Sequence, residues 1–209
     1  MKIKFIIGNL KYFNSYAFVY PIYQSLNTIN ESVNVKIEYS LDEKIYDLIF
    51  LDSKFFYDEF NNFNTSVIFG TLKKLRKKCR FLIYCDNEAS LFINSEIYKY
   101  VDYYLKSKLP VDENYYNFQY YGLRSYTDFY HKKYQVKDDK INYSETISKD
   151  DQKKNILGWN NGICDYSLFS SVKRKIFSLT KFTKILKFDL KTNIKKINLS
   201  SRKIGRAHV

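Results

Sequence analysis

The chain has 209 residues, 45% of them apolar and 19% aromatic, with two prolines and six glycines. That composition excludes a disordered or collagen-like chain and supplies enough apolar side chains for a real core. The formal charge of +13 invites a nucleic-acid partner, but Ser171–Val209 holds twelve lysines and arginines against one acid, Asp189, and the remainder is close to neutral. The basicity therefore belongs to the tail, and no nucleic-acid partner is expected.

Three cysteines, Cys79, Cys85 and Cys164, form no CxxC pair and have no histidine beside them. They read as buried free thiols of a reducing cytosol, not as a disulfide framework or a zinc site. The opening run Met1–Ile7 is too short for a signal peptide, and no run reaches the length of a membrane span. The expected location is the cytoplasm.

Lys2–Ile7 reads as a buried first strand closed by Gly8 and Asn9. Asn14 and Ser15 can cap the helix that follows, whose apolar positions Phe18, Val19, Ile22 and Leu26 recur at helical spacing with Pro21 as the flaw. Val33–Tyr39 alternates as a half-buried strand. Tyr46–Leu51 is a continuous apolar strand ending at Asp52 and Ser53. Asn64 and Thr65 open a helix to Leu75, whose basic end (Lys73 to Lys78) favours the macrodipole and reads as a solvated terminus.

The central strand, Arg80–Cys85, ends on Asp86, Asn87, Glu88, Ala89 and Ser90. Ser95 caps a short helix to Tyr100, and Val101–Leu105 reads as a further strand. Lys132–Lys154 is polar and charged and reads as a surface loop. Asn155–Ile163 reads as a last strand, or a hinge, holding the only tryptophan, Trp159. Ser167–Leu199 repeats apolar residues at three- or four-residue spacing among lysines: a basic amphipathic helix. It either packs on a neighbouring domain or lies on the inner membrane face.

Strands alternating with helices predict an α/β fold with a mainly parallel, Rossmann-like sheet flanked by helices. Its carboxyl edge would hold the ligand. The candidate binding residues there are Gly8, Asn9, Asp52, Ser53, Asn87 and Ser90. With no GxGxxG and no P-loop, no cofactor is implied.

Asp86 and Glu88, two apart, point the same way in an extended segment. They either serve as a general base or cap the following turn. Arg124 either binds a phosphate or carboxylate or pairs with Asp128 on one helix face. His131 reads as a surface residue.

The segments Tyr84–Ser90, Val101–Leu109, Tyr121–His131 and Leu157–Tyr166 resemble, in order and spacing, a bacterial group of glycosyltransferases from surface-polysaccharide loci. That group has the GT-B arrangement of two Rossmann-like domains across a cleft. The resemblance implies that residues 1–154 form the acceptor-side domain, and that 155–203 form a linker strand and basic helix leading to a second, nucleotide-sugar domain. It implies a metal-independent transfer from a nucleotide-sugar donor to a glycan or lipid-linked acceptor. Asp86 or Glu88 would be the acceptor-activating base, Arg124 a charge-binding group, and Trp159–Gly162 the entry to the second domain. The group's central strand end carries two aspartates and a glycine, whereas Asp86–Ser90 has no glycine. The alternative is a non-catalytic, receiver-like or scaffolding α/β domain with a basic tail for a membrane or an acidic partner. The terminal Ile204–Val209 resembles a read-through of a common sequencing adapter, so a truncated chain is expected, inactive alone.

Overall fold

A computed structural model describes residues 1–164 apart from 11, 63, 89, 139 and 140. The expected basic helix, the second-domain segment and the terminal Ile204–Val209 lie outside the described residues. The elements are β1 (Lys2–Ile6), α1 (Phe13–Asn30), β2 (Asn34–Glu38), β3 (Tyr46–Asp52), α2 (Tyr57–Asn61), α3 (Thr65–Arg76), β4 (Cys79–Asp86), β5 (Tyr103–Lys106), α4 (Ser125–Tyr134), α5 (Lys149–Gln152) and β6 (Asn155–Leu157).

The six strands form one sheet in the order β2-β1-β3-β4-β5-β6, and every pairing is parallel. This is the expected Rossmann-like α/β architecture. Because strands are pleated, neighbours along each strand feed opposite layers. In β4, Leu82 and Tyr84 join the layer containing Ile68, Leu72 and Leu75 of α3. Ile83 and Cys85 join the layer containing Tyr16, Phe18 and Val19 of α1. All three cysteines are free and buried, as their spacing predicts.

Some local readings change, among them the cap before Tyr100, which is Asn94 rather than Ser95. Asn14 and Ser15 do not cap α1: its N-cap position is Tyr12, without a side-chain hydrogen bond. Tertiary partners win the two side chains, Ser15 Oγ donating to Asp52 and Asn14 Nδ2 to the Asn87 carbonyl. The helix runs through Pro21, as its apolar spacing up to Leu26 predicts. The stretch 132–154 is not one loop: α4 runs to Tyr134, Tyr143 bridges back to Tyr121, and Ile147 is buried in the core. After β6, Gly158 breaks the strand, and a short 3-10 turn spans Asn161–Ile163.

The basic end of α3 is fastened to the domain. Arg76 meets Asp102 at 3.0 Å, and Lys78 meets Glu43 at 2.6 Å. No described helix is long and apolar enough to cross a membrane.

Candidate functional site

Gly8 and Asp52 stand at the ends of β1 and β3, where the strand order reverses and open sheets leave a crevice. In this chain the crevice is closed by its own polar groups. Asp52 Oδ2 accepts from the Gly8 amide at 3.0 Å and from Ser15 Oγ at 2.5 Å. Its Oδ1 accepts from the Lys54 amide at 3.1 Å and from Asn87 Nδ2 at 3.4 Å. Burial pushes the Asp52 carboxyl above its ordinary value, against the lowering effect of those four bonds. Gly8 is required by the close approach of the turn after β3: a Cβ there would meet the Lys54 carbonyl carbon at 2.5 Å. Asn9 is exposed, its carbonyl accepting from the Tyr12 amide. Asn161 Nδ2 reaches the Asn87 carbonyl at 3.3 Å, so the turn after β6 lies over this cluster.

The open cavity lies one strand along and on the opposite face of the sheet. It has a volume of about 300 Å³, at the small end of ligand pockets. Asp86, Glu88, Ser53, Lys54, Asn61 and Asn94 supply its polar groups, and Tyr57, Phe60, Tyr84, Phe92 and Tyr104 its aromatic walls. The structure thus places Asp86, Glu88 and Ser53 together, and Gly8, Asp52 and Asn87 together, as two separate clusters. Ser53 Oγ is buried and has no hydrogen-bond partner among the described residues.

The two cavity carboxylates differ in freedom. Asp86 Oδ2 accepts from Lys106 Nζ and Tyr104 OH, each at 2.9 Å, and its Oδ1 from the Glu88 amide at 3.0 Å. Lys106 is wholly buried and also donates to the Phe92 carbonyl at 2.7 Å. Burial first, and the Asp86 charge second, raise both Tyr84 and Tyr104 well above the ordinary phenol value. Both phenols are therefore neutral hydrogen-bonding groups at any ordinary pH. Glu88 is different: its side chain is 45% exposed and its one ion pair is with Lys54. Lys54 in turn lies over the Tyr57 ring. Of the two carboxylates, Glu88 is the one with exposed surface for a ligand to reach.

Arg124 and Ser90 stand apart. Ser90 is half-buried in the loop after β4 and does not line the cavity. Arg124 is exposed at the N-cap position of α4 and donates to Tyr126 OH at 2.6 Å. Asp128 takes Lys132 at 2.7 Å and the Tyr121 amide at 3.2 Å, so the anticipated Arg124–Asp128 pair does not form. His131 stacks on Tyr121 with ring centroids 3.8 Å apart, and its Nδ1 meets the Val136 carbonyl.

Lys54 and Lys106 are the residues that sequence reasoning passed over. Lys106 closes an apolar strand directly opposite Asp86, and that pairing is invisible without the β4–β5 register. No protein-family model, curated protein or solved structure matches the chain.

Proposed function

We propose that this domain is the acceptor-side half of a GT-B-like glycosyltransferase, acting on a glycan or lipid-linked acceptor with a nucleotide-sugar donor held by a second domain. One observation carries the reading: the Glu88 carboxylate and five aromatic side chains share a cavity at the carboxyl edge of a parallel sheet. Aromatic faces pack against the C–H faces of sugar rings, while carboxylates and hydroxyls take the sugar hydroxyls. Glu88 is the acceptor-activating base in this reading, because Asp86 is already occupied by Lys106, Tyr104 and the Glu88 amide. Asp86 and Lys106 then fix the loop that presents Glu88.

The test is saturation-transfer NMR of the protein against a panel of mono- and oligosaccharides. Binding to at least one sugar is expected, with transfer lost in Glu88→Gln and Tyr57→Ala. An absence of binding to every sugar in the panel by the wild-type protein would overturn the reading.

The same engaged Asp86 favours a second reading, a non-catalytic α/β scaffold. Its receiver-like form is weakened by Asp52, which is fully buried at the end of β3 with all its acceptor positions used. A scaffold would show no sugar binding and no effect of Glu88→Gln.

A further inference from the structure

The helix α4 carries an aromatic face that is exposed among the described residues. Tyr126, Phe129, Tyr130 and Tyr134 are between 52% and 57% exposed. At helical spacing they fall on one side, with Lys133 among them. The rings pack on each other, Tyr130 against Tyr134 with centroids 5.8 Å apart and Phe129 against Tyr130 at 5.5 Å. Lys133 Nζ lies over the Phe129 and Tyr134 rings at 5.2 and 5.1 Å, and the Arg124 guanidinium over Tyr126 at 5.8 Å. The one acid of the helix, Asp128, is buried and paired with Lys132.

Bases outnumber acids around this face: between Arg124 and Lys137 stand Arg124, Lys132, Lys133 and Lys137 against Asp128, and Asp138 follows with its carboxylate beside Gly122. The charge of this face is complementary to an anionic partner and disfavours pairing with a second copy of itself. Tyrosine and phenylalanine rings ringed by lysine and arginine suit the boundary between water and an anionic lipid surface, where rings enter the headgroup layer and cations meet phosphates.

We propose that the α4 face is a docking surface for an anionic lipid bilayer, with Tyr126, Phe129, Tyr130 and Tyr134 entering the interface and Arg124 and Lys133 contacting lipid phosphates. It stands independently of the cleft, being made of other residues on another element.

The test must separate this face from the basic tail, which attracts anionic vesicles by charge alone. The full chain carrying Tyr130→Cys is labelled with an environment-sensitive fluorophore; its three native thiols are buried. Vesicles of phosphatidylcholine with phosphatidylglycerol are expected to shift the emission to the blue. Phosphatidylcholine alone, or a soluble polyanion such as heparin, is expected not to. In co-sedimentation, Phe129→Ser with Tyr130→Ser is expected to weaken binding about tenfold at unchanged circular dichroism. Lys133→Glu, which leaves all the rings in place, is expected to weaken it in the same direction. Vesicle binding without an emission shift would overturn the proposal. So would an equal shift with heparin, which points to an acidic macromolecule instead.

Discussion

Lys106 Nζ lies 2.9 Å from Asp86 Oδ2, and the lysine side chain has no exposed surface. The pair joins the last residues of β4 and β5, which stand in register as neighbours. It ties the sheet edge on which the candidate site is built.

Removing one member of such a pair leaves the other buried and alone. Lys106→Met is therefore expected to destabilise the domain by about 3–5 kcal/mol, read from urea unfolding. The double variant Lys106→Met with Asp86→Leu should recover most of that loss, since two apolar side chains leave no orphaned charge. A double variant no more stable than Lys106→Met would show that the pair is not the source of the cost.

Two glycines give opposite expectations for the same substitution. Gly8→Ala forces a methyl against the Lys54 backbone, at 2.5 Å from its carbonyl carbon and 2.6 Å from its oxygen. It is expected to cost about 1–3 kcal/mol. Gly70 lies within α3 with nothing within 4 Å of an added Cβ. Gly70→Ala is expected to stabilise by about 0.5–1 kcal/mol, because alanine has the better helix propensity. Urea midpoints of the two variants check both signs.

Asp52 gives a pH dependence of unusual sign. Burial raises its folded value above the ordinary 3.8, so the folded state holds the proton over a window where the unfolded state has released it. The contribution of this group to stability therefore falls as pH rises from about 3.8 towards the raised folded value, and is flat above it. Asp52→Asn is expected to lower stability by about 1–3 kcal/mol, because an amide NH2 then faces backbone and hydroxyl donors. It should also remove that part of the slope. Unfolding free energies measured across the acid range, wild type against variant, test both effects.

Trp159 is the only tryptophan and so reports on one place. Its ring stacks on Phe18, with centroids 5.0 Å apart and planes 7° from parallel. Phe18→Ala is expected to shift the native emission to the red and to destabilise by about 3–5 kcal/mol, since Phe18 is buried to 1% exposure. Unchanged emission in a folded variant would place the indole elsewhere.

Much of the fold was legible because periodicity reports burial. The strands beginning at Lys2, Val33, Tyr46, Arg80 and Val101 are present within a few residues of their expected ends. Lys4 shows where the pattern is silent. It interrupts an apolar strand yet is 1% exposed, held by Glu38 at 2.6 Å and Asp42 at 3.2 Å. Those partners sit more than thirty residues on, where no local pattern reveals them. The candidate site was legible in part. The acidic end of β4 stands out in the sequence, and both of its acids line the cavity. That Asp52 faces α1 and Asp86 faces α2 and α3 follows from strand register and pleat, which composition does not encode. Arg124 was drawn to the site by its charge alone, and its actual partner, Tyr126, is two residues away.

The indole of Trp159 donates to the Phe18 carbonyl at 2.9 Å, across 141 positions of chain. On the ribosome, α1 emerges early, while its aromatic cover and β6 come only after most of the domain has been made. β1, a central strand, likewise waits for β3, because β2 supplies only one of its two edges. Contacts of such long sequence separation close late and slow the search for the native state. The nascent domain therefore exposes the outer side of α1 until residue 159 is free, and that interval is when a chaperone or an errant strand would find it.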